Sequence, residues 1–149
     1  MLQQHELTTP ALAYLGDCVL EMCVRRYLVL EAGYSTSAHL NKAALQYVCA
    51  PKQSQAMVNI EPYLTLDELA VYKRGRNMGH SNVPKSATVQ EYRRATGMEV
   101  LFGYLSVSGQ DERIDTLFRL GFGLATPEAL SLTLREEPST NEIKENVES

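Results

Sequence analysis

The sequence predicts a single all-α domain, a compact helical bundle, and three observations carry that prediction. Two capping boxes, Thr65-Leu-Asp-Glu68 and Thr88-Val-Gln-Glu91, each stand ahead of a helix-length segment. Glycine and proline punctuate apolar runs that are longer than strands. No segment alternates apolar and polar residues with a period of two. At 149 residues the chain is long enough for one sizeable core.

The elements follow in order. Thr9 is the expected N-cap of a first helix, with Pro10 at its first helical position. Apolar residues then run to Glu31, and Gly33 stops the helix; it is the most hydrophobic one and the expected centre of the core. A second helix is predicted from Ser37 to about Cys49, and a third from Pro51, carrying Ala56, Met57 and Ile60. The box at Thr65 opens a fourth helix to about Arg76, and residues 75–86, with Gly75, Gly79, Asn77, Asn82 and Pro84, read as a polar loop. The box at Thr88 opens a helix to about Val107, ended by Gly109, and residues 111–120 form a last amphipathic helix stopped by Gly121. Residues 1–7 and 125–149 read as extensions of a domain spanning 8–124. From about 136 the chain holds five glutamates, one lysine and almost no large apolar groups, so a disordered tail is expected there.

Composition narrows the classes of function. No stretch reaches the roughly 18–20 uninterrupted apolar residues of a membrane span, because Asp17, Glu21, Arg25 and Arg26 interrupt the longest candidate. The N-terminal residues lack the layout of a signal or transit peptide, so a cytoplasmic protein is expected. Cys18, Cys23 and Cys49 have no CxxC spacing and sit in apolar helical sequence, which predicts reduced, buried thiols rather than a disulfide or zinc site. The net charge is −4, but Tyr72–Arg94 contains six basic residues (Lys73, Arg74, Arg76, Lys85, Arg93, Arg94) against the single acid Glu91. Such a concentrated basic segment on an acidic chain suits a polyanion docked in one place. Its plainer reading is a solvated face.

Asp17 and Glu21 stand four residues apart within the apolar run Ala11–Val24, which places both carboxylates on one helical face. Carboxylates in apolar surroundings are usually paired or bound to a cation. One reading is a structural pair with Arg25, Arg26 or Arg94. The other is metal binding, which needs a further acid in a comparable setting. Glu99 supplies one, within the apolar stretch of the fifth predicted helix, unless it is itself merely paired or snorkelling. Two acids from two helices can converge on one hard divalent ion that keeps several waters. Beside a basic loop, that arrangement suits phosphodiester hydrolysis. Gly75-Arg-Asn-Met-Gly79 is not a P-loop, because it lacks the Gly-Lys-Ser/Thr ending and follows a helix.

At these residues the chain resembles a known family. Ala13-Tyr-Leu-Gly-Asp17-Cys-Val-Leu-Glu21 is similar to the ribonuclease III signature. Arg74-Gly-Arg-Asn77, Val83-Pro-Lys85 and Val89-Gln-Glu-Tyr-Arg93 through Glu99-Val-Leu-Phe-Gly-Tyr104 resemble Mini-ribonuclease III, the branch with the catalytic domain but no separate double-stranded-RNA-binding domain. The likeness covers about residues 8–122. It implies an all-helical homodimer, each subunit contributing one Mg²⁺-dependent centre (Mn²⁺ as substitute) that cuts one strand of an RNA duplex and leaves a 5′-phosphate. It also implies the 23S ribosomal RNA precursor as substrate; assistance by a ribosomal protein is left open, because the sequence does not reveal one.

The same resemblance assigns Asp17 and Glu99 as catalytic metal ligands, Glu21 as an outer-shell group, and Tyr14 as a dimer contact. Ala13 and Thr96 replace acids of full-length ribonuclease III, as is typical of the Mini branch, and leave two carboxylates per subunit. A chain without a separate RNA-binding domain needs phosphate contacts of its own, because duplex RNA is read mainly through backbone shape. Lys73, Arg74, Arg76 and Lys85 are the expected contacts, with Asn77, His80 and Arg93. The alternatives are a catalytically inactive relative that binds RNA or the ribosome, and a helical adaptor with no nucleic-acid partner.

Overall fold

The computed structural model describes residues 2–3, 6–79 and 82–136, and the described residues form an all-helical domain. The helices are α1 (Thr9–Leu30), α2 (Ser37–Val48), α3 (Ala50–Ile60), α4 (Leu66–Arg76), α5 (Val89–Val107) and α6 (Asp111–Gly121), with a 3-10 turn at Glu61–Tyr63. Both capping boxes form. The Thr65 and Thr88 hydroxyls accept from the Glu68 and Glu91 N–H groups, while the two glutamates accept from the N–H groups of the threonines. The first N-cap lies one residue earlier than expected. Thr8 is extended and its hydroxyl accepts from the Ala11 N–H, so Thr9 and Pro10 occupy the first turn. Gly33 and Gly109 follow their helices with φ of 76° and 69°, a backbone that glycine adopts without a Cβ penalty.

The centre of the core is α5 rather than α1. It packs against α1, α3, α4 and α6, and Met98, Leu101, Phe102 and Leu105 are fully enclosed. Around them lie Leu20, Val24 and Leu28 of α1, Met57 and Ile60 of α3, and Leu117 and Phe118 of α6. Each such side chain contributes about 1.5–3 kcal/mol through burial. By contrast α1 exposes one long side, and α2 buries no residue fully.

Gly75 belongs to α4, not to the following loop, and it is buried. The reason is tertiary. A Cβ on Gly75 would come within 2.7 Å of the Val100 side chain, and one on Gly97 within 2.6 Å of the Tyr72 ring, so the two glycines let α4 and α5 approach closely.

Glu68 and Arg113 join α4 to α6 under low exposure, at 2.8 and 2.9 Å, and Arg113 also donates to the Tyr63 carbonyl. Arg119 ties α6 to α1 through Glu31 and also pairs with Asp115. Beyond Leu124 the chain still packs on the domain: Leu130 and Leu132 reach the core, and Arg135 donates to the Glu61 and Leu64 carbonyls. The acidic tail expected to be disordered lies almost entirely outside the described residues. No helix among the described residues is long and apolar enough to cross a membrane.

Candidate active site

Asp17 and Glu99 are brought together by a contact between backbones. A Cβ on Gly16 would overlap the Glu99 carbonyl, and one on Gly103 would overlap the Leu12 carbonyl. With neither side chain present, α1 and α5 meet at their main chains along this seam. Asp17 is adjacent to Gly16, and Glu99 precedes Gly103 by one turn, so both acids sit at the same seam. Glu99 is half-buried, and Asp17 is exposed rather than enclosed as the apolar sequence around it suggested. Its helix face is open to solvent, which is why an acid is tolerated there.

The two carboxylates repel. Burial first, and then the neighbouring Asp17, push the Glu99 carboxyl up to about 7. A cation placed between them removes both penalties. The donors are hard oxygens, which suit Mg²⁺ or Mn²⁺ rather than a soft metal. Among the described residues no third His, Cys, Asp or Glu joins them in a metal-sized group. Ala13 is buried beside Val71 and Val100, and Thr96 donates its hydroxyl to the Tyr92 carbonyl at 3.0 Å. A bound ion would therefore complete its shell with water or substrate oxygens.

Glu21 stands one turn beyond Asp17 and is ion-paired with Arg25, whose Nη2 donates at 2.6 Å and Nε at 3.1 Å. This is the structural pair that the sequence allowed. The pair is exposed, and such pairs contribute little, about 0–1 kcal/mol. Arg94 does not join it.

Tyr14 is 87% exposed on the second turn of α1. With Leu15, Cys18 and Met22 it forms an apolar stripe flanking Asp17, continued by Val29 and Leu30. Cys18 and Cys49 are thus exposed, against the expectation of buried thiols, and all three cysteines are free. Burial pushes the Cys23 thiol up to about 11. A cavity of about 490 Å³ opens beside the stripe, between α1 and α6, lined in part by Met22, Leu30 and Phe118.

The basic residues divide into two groups. Lys73, Arg74 and Lys85 are exposed on the last turn of α4 and the following loop. Arg76, Asn77 and Arg93 instead gather in one concavity, together with Arg94, counted in the basic window but not among the expected RNA contacts, and with the neutral Gln90, which charge counting could not single out. The spacing of 90, 93, 94 and 97 on one side of a helix is the signal that would have grouped them. His80 lies outside the described residues.

The Ribonuclease III domain family model matches residues 10–110. A protein from Clostridium tetani named Mini-ribonuclease 3 is 37% identical, over 88% of this chain and 80% of that one. Its namesake from Brevibacillus brevis is 40% identical, over 83% and 92%, and that from Desulfitobacterium hafniense 45% identical, over 74% and 69%. An X-ray structure of a Fusobacterium nucleatum protein is similar with a TM-score of 0.70 at 30% identity, covering 76% of this chain and 90% of that one.

Proposed function

The chain belongs to the ribonuclease III domain family, in its Mini-ribonuclease 3 branch, and is an endoribonuclease; from that premise we propose that it is a homodimeric, Mg²⁺-dependent enzyme that cuts double-stranded RNA and matures the 23S ribosomal RNA precursor. The observation that carries this reading is the acid pair at the α1–α5 seam.

Asp17 and Glu99 would hold the ion, with Mn²⁺ as a substitute. When bound, the ion supplies activated water and neutralises charge on the scissile phosphate. The residues contribute position and charge. The Gly16–Glu99 contact holds two oxygen donors on rigid helices, so little reorganisation is needed when substrate arrives. Glu99, its carboxyl raised to about 7, would be partly protonated near neutral pH and would have to be deprotonated to hold a cation. Glu21 would stand as an outer-shell group beside the ion, its exposed pair with Arg25 being only a weak competitor. Lys73, Arg74 and Lys85 seat backbone phosphates beside the cut, with Arg76, Asn77, His80 and Arg93 extending the basic surface.

The dimer is formed by the α1 stripe around Tyr14. Exposed apolar groups in such continuity favour association, and Asp17, one turn from Tyr14, is then enclosed near the join. Two copies would present two acid pairs to one duplex, one for each strand. A ribosomal protein that shapes the RNA would act as an assisting partner. Cytoplasmic action follows from a ribosomal RNA substrate.

The test is to incubate the protein and its Asp17→Asn variant with a long RNA duplex, in Mg²⁺ and in EDTA. Cleavage is expected only for the unaltered protein in Mg²⁺, with RNA binding retained by the variant. RNA that stays intact in every lane, yet is bound, would make the protein an inactive RNA-binding relative.

A further inference from the structure

Arg76, Arg93 and Arg94 converge on a concavity of about 270 Å³ at the junction of α4 and α5. At 3.6 residues per turn, Gln90 projects about 180° around α5 from Glu99, Arg94 about 140° and Arg93 about 120°. The concavity therefore faces away from the acid pair. It is a different site.

Its chemistry is that of an anion seat. None of the ion pairs among the described residues involves Arg76, Arg93 or Arg94. Arg76 lies over the Tyr72 ring, 5.6 Å from its centroid, and its Nε donates to the Asn77 side chain at 3.2 Å, which fixes the guanidinium plane. The Tyr72 phenol, whose ordinary value of about 10 keeps it protonated at neutral pH, also lines the concavity as a neutral hydroxyl. Glu61 is the one acid lining the concavity. Glu91, the other nearby acid, is committed to the Thr88 N–H at 3.0 Å. Guanidinium forks match phosphate oxygens in pairs. The volume is below that of drug-sized pockets, which start at about 300 Å³, and suits a small charged group.

We propose that this concavity binds a phosphate group through Arg76, Arg93 and Arg94, and that in the working enzyme it seats a backbone phosphate of the RNA on the far side of α5 from the cut. The choice of RNA as the source rests on the function proposed above; the anion seat does not. Arg93 thus anchors substrate at a distance rather than beside the reacting phosphate, and Arg94 and Gln90 join the footprint.

Two measurements on the full chain test this. First, inorganic phosphate is titrated into metal-free protein against chloride at matched ionic strength, following arginine Nε–H signals by NMR. Arg76, Arg93 and Arg94 should shift together and saturate, while Arg119, already paired with Glu31 and Asp115, stays still; the Arg93→Gln/Arg94→Gln variant should lose the response. Unsaturable shifts, or equal shifts at all arginines, overturn the anion seat. Second, duplex RNA binding is measured in EDTA across salt concentrations, so that loss of cleavage cannot confuse the result. The same variant should lower the slope of log K against log salt by about one for each phosphate it no longer neutralises, and Arg94→Lys should largely restore the Arg94 share. A saturable phosphate response with an unchanged RNA slope overturns RNA as the source and assigns the seat to free phosphate or a mononucleotide.

Discussion

Gly16 lies so close to Glu99 that a single added carbon would overlap the glutamate's backbone carbonyl. The obstacle is main chain, not the end of a flexible side chain, so it cannot swing aside. Gly16→Ala should therefore force α1 off α5. We expect a loss of about 3 kcal/mol or more, at the upper end of overpacking costs, and loss of cleavage because Asp17 moves with the helix. Thermal unfolding and cleavage measured together check this. Gly33→Ala is the contrast: it meets open space and should cost about 1–2 kcal/mol through its positive φ alone.

The raised Glu99 carboxyl makes stability depend on pH. Between the ordinary value of 4.5 and about 7, the folded protein holds a proton that the unfolded chain has released. Stability of the metal-free protein should thus fall as pH rises through that window and level off above it, by about 1–3 kcal/mol. Glu99→Gln should flatten the dependence and raise Tm at pH 7.5 while abolishing cleavage. Mg²⁺ should stabilise the unaltered protein at pH 7.5 and leave the variant much less affected. A Tm that does not change between pH 5 and 7.5 in EDTA would contradict the burial argument.

Glu68 is buried, caps α4 and meets Arg113 of α6. Burial alone would raise its carboxyl, but the Arg113 and Thr65 hydrogen bonds outweigh that and hold it below the usual range. The stability it provides is present above the ordinary glutamate value and is lost as pH falls through the depressed one. Removing one partner of a buried pair leaves the other uncompensated. Glu68→Ala should cost about 3 kcal/mol in urea unfolding at pH 7, and distinctly less at acid pH.

Tyr14 reports on assembly. If the α1 stripe joins two copies, Tyr14→Asp should shift sedimentation from dimer towards monomer at micromolar protein without changing the helical circular dichroism. A variant that stays dimeric would remove Tyr14 from the contact.

Much of this was legible residue by residue. Asp17 and Glu99 stood out because acids are rare in apolar helical runs, and Thr65 and Thr88 announced their helices through a glutamate three positions on. The errors have physical causes. Gly75 looked like a loop residue because glycine is a poor helix former, but packing against Val100 outweighs propensity. Asp17 looked buried because its neighbours are apolar, yet Tyr14, Leu15, Cys18 and Met22 face solvent. Arg76 and Arg93 stand in one basic window with Arg74, and the structure sorts that window by gathering Arg76, Arg93 and Arg94 in one concavity without Arg74.

Caps, stops, helical class and the two acids in apolar helical sequence could be read from the chain because each rests on side-chain chemistry or on contacts reaching three or four residues. The meeting of Asp17 with Glu99, and the separation of Arg93 from Glu99, could not. The first depends on two glycines removing the atoms that would keep α1 and α5 apart. The second needs more than the turn of α5 between residues 93 and 99, which helical spacing gives; it depends on which sides of α5 are covered by α1 and by α4. Close packing between distant segments sets both, and no local pattern encodes it.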